Sequence, residues 1–217
     1  MGLGRKARFI TFEGIEGCGK STQIKRLARR LKTLGIPILS TLEPGGTPIG
    51  QGIRKILLDA RNTDLSPLGE LMLYAADRVQ HVREVILPAL DQGTWVLCDR
   101  FSDATEAYQG WARGQDRRLV RRLNGLATQG LVPDMTFLLD LSVEKGLARA
   151  LRRNKAVLHG GQDRFEKEDL AFHRAVRKAY LLMARRHPQR FVVIDADRGM
   201  DDVEESIFQH LTRFFLP

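Results

Sequence analysis

Residues 14–21 read GIEGCGKS, a G-x-x-x-x-G-K-S spacing that sets a lysine and a hydroxyl directly behind a glycine-rich turn. That order of residue types suits a nucleoside triphosphate. The glycines let successive backbone N–H groups wrap a phosphate, and the N-terminus of a following helix adds a favourable dipole. Lys20 would bring a point charge to the β- and γ-phosphates, and Ser21 would offer its hydroxyl to Mg²⁺. The expected ATP contacts are Gly14, Ile15, Glu16, Gly17, Cys18, Gly19, Lys20, Ser21 and Thr22.

A second set of residues suits an acceptor. Asp99 ends the apolar run WVLCD, where an acid can hold the water shell of a metal, and Arg100 follows it. Arg54, on a helix after EPGGT, is a further cation, and two guanidiniums can grip a monophosphate through forked contacts. Tyr74 and Arg78 are four apart, on one helix face. The ring could stack on a base and the guanidinium could donate to a base carbonyl, or the two could form a surface cation–π pair. Thr105, Tyr108 and Gln109 add a ring wall with donors and acceptors. Asp99-Arg100 could also be a salt bridge closing a strand, a contact that adds little at a surface.

The elements that must hold these groups alternate. Strands are expected at 9–13, 37–41, 95–99, 135–141 and 191–196. Helices are expected at 19–34, 49–58, 66–91, 103–109, 116–128, 143–153, 166–187 and 201–215. Ser66 and Pro67 make a helix start, and Pro88 should kink or break the last turn. Such alternation predicts a parallel sheet with helices on both faces and ligands at the carboxyl ends of the strands.

Length and composition narrow the function. The chain of 217 residues, 43% hydrophobic, suits one α/β domain with a full core. No window approaches the length of uncharged apolar sequence that a membrane span needs, and FITFE is too short for a signal-peptide core. Two cysteines make no framework, which points to a reduced, cytoplasmic chain. The net charge of +9 suggests a polyanionic partner, but the arginines are spread and lack interleaved aromatics, so specific nucleic-acid binding is not expected. A GTPase should carry N-K-x-D after a late strand, whereas this chain has RFVVIDADRGM. A small-molecule kinase, with a second phosphate site and an arginine-bearing cover, fits best. A non-catalytic ATP-binding module is the alternative of another class.

In order, FEGIEGCGKST, EPGGTPIGQGIRKILLD, LMLYAADRVQH, CDRFSDATEAYQGWARG, PDMTFLLDL, DRFE at 163–166 and the late IDA resemble bacterial thymidylate kinases over nearly the whole chain. The resemblance implies a P-loop kinase fold, α/β, with a five-stranded parallel sheet, helices on both faces and a mobile lid near 153–164, in one domain spanning 1–217. It implies transfer of the γ-phosphoryl group of ATP to dTMP, giving dTDP and ADP for dTTP synthesis, with Mg²⁺, in a cytoplasmic homodimer. Residue by residue it gives Lys20 and Ser21 to ATP and Mg²⁺, with Asp99 on the metal side. Glu16 goes near the deoxyribose 3′-hydroxyl, and Arg54 and Arg100 to the dTMP phosphate. Tyr74 goes to the thymine face, Arg78 to a thymine carbonyl, Thr105 and Gln109 to the base, and Tyr108 to the place where a 2′-hydroxyl would sit. Glu43 and Pro44 count among the substrate contacts. Catalytic roles fall to Lys20, Arg100, Glu16 and the lid arginines Arg153 and Arg164, with Arg149 and Arg152 as alternatives; Asp163 and Glu166 match acids near the metal and lid. The chain departs from the pattern at Leu42, often Arg, Tyr74, often Phe, Phe101, often Tyr, and Ala104, often Ser.

Overall fold

Five short runs rich in β-branched and aromatic residues lie side by side as parallel strands: β1 (Phe9–Glu13), β2 (Ile38–Leu42), β3 (Trp95–Asp99), β4 (Met135–Asp140) and β5 (Phe191–Asp195). The computed structural model describes residues 7–156, 164–166 and 168–216. The strand order is β2-β3-β1-β4-β5. Every residue of β1 is buried, as a central strand covered on both faces requires. Trp95 and Leu97 pack into one apolar cluster and Val96 and Cys98 into another, so successive residues of β3 feed cores on opposite faces of the sheet. The first cluster includes Leu27 and Leu31, Val176 and Tyr180, and Val203 and Ile207; the second includes Val82, Ile86 and Phe101.

The helices are α1 (Lys20–Thr33), α2 (Pro48–Leu58), α3 (Pro67–His81), α4 (Leu87–Asp91), α5 (Ser102–Thr105), α6 (Arg117–Thr128), α7 (Val143–Ala156), α8 (Leu170–Arg186) and α9 (Met200–Phe215). Their starts follow from side-chain caps. Thr47 Oγ1 accepts from Gly50 N at 2.9 Å and Ser66 Oγ from Gly69 N at 3.2 Å, with proline at the first helical position in both α2 and α3.

Three expectations change in detail. The helix expected over 66–91 is interrupted by a π-helical turn, Val82–Ile86, where Leu87 N donates to Val82 O. That wider pairing stands just ahead of Pro88, which has no N–H to continue the ordinary ladder. The helix expected at 103–109 becomes α5 followed by a second π turn, Glu106–Ala112, closed by Arg113 N donating to Tyr108 O at 2.8 Å. The helix expected to begin at 166 begins at Leu170, because Asp169 caps it through Phe172 N at 2.7 Å. Most of the segment expected as a lid, with Asp163 in it, lies outside the described residues.

Backbone pairing continues one step past the strands. Arg100 N donates to Phe12 O at 3.0 Å, and Glu43 N to Asp99 O at 2.9 Å. The roots of the loops after β1, β2 and β3 are thereby tied together at one sheet edge. The strand order reverses at β1, and the crevice that such a reversal opens is where open α/β sheets hold ligands.

Candidate active site

The turn after β1 demands its glycines. Gly14 has φ +134°, and a Cβ there would lie 2.5 Å from Leu139 O. Lys20 folds back over this turn and is buried; its Nζ donates to Gly14 O at 3.1 Å and Ile15 O at 3.0 Å, and lies 3.6 Å from Cys18 Sγ. Ser21 Oγ donates to Asp99 Oδ2 at 2.7 Å, which brings two oxygen ligands together at the mouth of the loop. Mg²⁺ takes one or two protein oxygens and fills the rest of its shell with phosphate and water, so this pair fits the ion.

Asp99 and Arg100 turn to different partners, so they do not form the strand-closing salt bridge that the sequence left open. Arg100 has φ +70°, which swings its side chain inward. Its Nη2 donates to Glu16 Oε1 at 2.9 Å and to Tyr108 Oη at 3.0 Å, and its Nη1 donates to Tyr180 Oη at 3.2 Å. Tyr108 Oη donates to Glu16 Oε1 at 2.5 Å, and Tyr180 Oη to Glu13 Oε2 at 2.7 Å. The second Glu16 oxygen lies 3.4 Å from His173 Nδ1. Burial alone would raise the Glu16 pKa. His173, the Arg100 and Lys20 charges and the Tyr108 hydroxyl outweigh it and hold this carboxyl well below the usual carboxylate range. Glu13, behind it, goes the other way: burial and the Asp103 charge push it up to about 7.

The loop after β2 is held from beneath by α3. Glu43 accepts from Arg78 Nε at 2.8 Å and pairs with His81 Nδ1 at 2.9 Å, while His81 Nε2 bonds Thr41 Oγ1 at 2.7 Å. Asp77 Oδ1 accepts from Gly45 N at 2.9 Å, and Asp77 Oδ2 is buried without a hydrogen-bond partner. Burial and the Glu43 charge push Asp77 up to about 6. Gly46 lies so close to the His81 ring that any Cβ would collide with it. Arg54 Nη1 donates to Pro44 O at 2.8 Å. Burial lowers the Arg54 pKa; the nearby Tyr74 and Asp99 act against it and the Arg100 charge acts with it.

Above α3, Tyr74 is half-buried, and burial raises its pKa. Arg78 is 1% exposed, and its described bonds use Nε, to Glu43, and Nη1, to Asn124 Oδ1 at 2.9 Å. Thr105 is buried and its hydroxyl has no partner. Gln109 Nε2 donates to Glu70 Oε1 at 2.8 Å. Arg164 Nη1 donates to Glu70 Oε2 at 2.6 Å and to Leu57 O at 3.2 Å, so this arginine sits on a buried acid. Arg153 is more exposed and pairs with Glu166 at 3.6 Å. Arg149 donates to Ala196 O and Arg152 to Ala148 O.

Comparison with known proteins decides the family. The thymidylate kinase family model matches residues 12–207. The chain belongs to the thymidylate kinase family. It is 57% identical over 188 residues to the thymidylate kinase of Trichlorobacter lovleyi, covering 87% of this chain and 89% of that protein. It is 48% identical over 206 residues to that of Syntrophus aciditrophicus, 94% of each chain. The crystal structure of thymidylate kinase from Ehrlichia chaffeensis superposes with a TM-score of 0.77 at 32% identity, over 94% of this chain and 98% of that one. The chain is therefore a nucleotide kinase with the P-loop kinase fold, and it phosphorylates dTMP to dTDP in dTTP synthesis.

The fold gathers the sequence candidates into three groups: Lys20, Ser21 and Asp99; Glu16, Arg100 and Tyr108; and Glu43, Pro44, Arg54, Tyr74 and Arg78. Reading the sequence missed the acids and the histidines behind them. Glu70, Asp77 and His81 are all buried, as is Arg78, and with Tyr74 they recur at 70, 74, 77, 78 and 81. That is a polar stripe on the inward face of a helix, at the spacing usually searched for apolar residues. His173 and Tyr180 lie seven apart on α8, on its buried side.

Proposed function

We propose that the chain performs its transfer at the sheet edge between Lys20 and Tyr74. Arg54 and Arg100 hold the dTMP phosphate, and Glu16 faces the deoxyribose. The inward turn of Arg100 beside Glu16, at the strand end whose acid also bonds Ser21, carries this reading. A monophosphate suits two guanidinium forks, and Arg54 on α2 offers the second. Lys20 and the glycine turn receive the ATP phosphates. When bound, Mg²⁺ would neutralise charge on the transferring group, and Ser21 and Asp99 are the residues that would hold it. An oxygen of the dTMP phosphate attacks the γ-phosphorus, the bond to the β–γ bridging oxygen breaks, and ADP leaves. Glu16, kept anionic by its neighbours, accepts from the 3′-hydroxyl, and the Tyr108 ring occupies the space of a 2′-hydroxyl. Tyr74 lies against the thymine face, Arg78 donates to a carbonyl, and the unpartnered Thr105 hydroxyl and Gln109 complete the base contacts. Arg153 supplies further positive charge to the phosphoryl group, and Arg164, expected to do the same, is instead held by Glu70 Oε2 and Leu57 O.

The enzyme works as one domain in the cytoplasm, and its two cysteines are free and buried. Among the described residues, no helix is long and apolar enough to cross a membrane. A homodimer is formed through α2, α3 and α6, which expose Ile49 and Ile56, then Leu68, Met72 and Val79, then Leu119 and Leu126. The decisive assay couples ADP release to absorbance with dTMP, dUMP, UMP, dCMP and AMP as acceptors. The highest kcat/KM is expected with dTMP; a preference for AMP or dCMP would overturn the assignment.

A further inference from the structure

Glu70 is fully buried on α3, and three groups converge on it. Oε1 accepts from Gln109 Nε2 at 2.8 Å and lies 3.5 Å from Arg113 Nε. Oε2 accepts from Arg164 Nη1 at 2.6 Å. Arg113 is itself pinned, with Nη2 donating to Glu168 Oε1 at 2.6 Å and its guanidinium over the Phe172 ring at 4.8 Å.

An amide side chain has two faces, a donor NH₂ and an acceptor oxygen, and it can present either one. Arg113 and Arg164 can only donate, so both Glu70 oxygens are taken up as acceptors. Gln109 must therefore turn its NH₂ inward, which leaves Oε1 as the face it offers a ligand. Arg78, whose described bonds use Nε and Nη1, can only donate.

We infer that Glu70 is a specificity-determining positioning residue: by fixing the Gln109 amide it makes the base pocket read one donor–acceptor polarity. This rests on the proposed roles of Arg78 and Gln109 at the base. A donor from Arg78 beside an acceptor from Gln109 matches a base edge with a carbonyl next to a ring N–H, as in thymine or uracil. Cytosine presents an amino group next to a ring acceptor, so it meets donor with donor and acceptor with acceptor. A pocket built to satisfy a polar edge discriminates strongly against the edge that leaves its groups unpaired.

Replacing Glu70 by Gln tests this, because an amide can donate as well as accept and no longer dictates how Gln109 turns. The readout is the ratio of kcat/KM for dTMP to that for dCMP at saturating ATP and Mg²⁺, with thermal melting as the check on folding. The ratio is expected to fall at least about tenfold in Glu70→Gln. In the double variant Glu70→Gln, Gln109→Leu it should equal that of Gln109→Leu alone. Should Glu70→Gln fail to fold, Glu70→Asp decides by the same ratio: it keeps a charge beside the arginines but draws the carboxylate back from Gln109. If rates fall while the ratio stays at the wild-type value, Glu70 only anchors Arg113 and Arg164, and the inference is overturned. If the wild-type enzyme itself prefers dCMP, it is the proposed base contacts that fail.

Discussion

Arg100 concentrates the conflict at this site. It is a non-glycine residue at φ +70°, a conformation that costs about 1 kcal/mol, and it neutralises a largely buried Glu16. Arg100→Ala should lower kcat/KM for dTMP by about two orders of magnitude while the Kd of an ATP analogue changes little. Equal losses in both would make the residue structural. The same change strips Glu16 of its counter-charge and should destabilise the protein by on the order of 3 kcal/mol. Arg100→Gly should be equally inactive but more stable than Arg100→Ala by about 1 kcal/mol in urea unfolding, since glycine adopts positive φ freely. Glu13 makes a prediction of opposite electrostatic sign. Its folded pKa of about 7 stands above its ordinary 4.5, so between those values the folded state holds a proton that the unfolded state releases. Stability therefore falls as pH rises through that window. Glu13→Gln should flatten the fall in unfolding free energy between pH 5 and 8; an unchanged slope would show that Glu13 titrates normally.

At the scale of elements, the caps and turns set where the site groups arrive. Thr47 is buried and caps α2, the helix that carries Arg54. Thr47→Ala should cost about 1 kcal/mol of stability and raise KM for dTMP more than for ATP, as steady-state titration of each substrate would show. The strands were legible in the sequence because each combines β-branched or aromatic residues with a turn signal, and the phosphate loop was legible because it depends on glycines and one lysine close together in the chain. The π turn at Glu106–Ala112 was not. Its wider pairing leaves Ala107, Tyr108, Gln109 and Gly110 all buried, and it arises from packing between α3, α6 and α8 rather than from local propensity. The start of α8 was misplaced because Asp169 reads as one acid among several until its side chain is seen to accept from Phe172 N. Glu70 and His173 were invisible for a related reason. Their partners, Gln109, Arg164 and Glu16, are distant in sequence, and only the closed fold gives a buried charge its meaning.

For the whole molecule, α3 is the element on which most depends. Its inner face carries Glu70, Tyr74, Asp77, Arg78 and His81, and its outer face exposes Leu68, Met72 and Val79. The double change Met72→Glu, Val79→Glu should convert the proposed dimer to monomer, measured by sedimentation; a wild-type protein that sediments as a monomer would end the dimer proposal. If one face meets the substrate and the other a second copy, as proposed, α3 retains almost no residues free to vary. In a saturation library selected for growth on this enzyme, tolerance should alternate along α1 with its exposed and buried faces, whereas α3 should read as one unbroken intolerant block. Drift in this protein would then be channelled into helices such as α1 and α9, leaving the wall between base and neighbour nearly frozen.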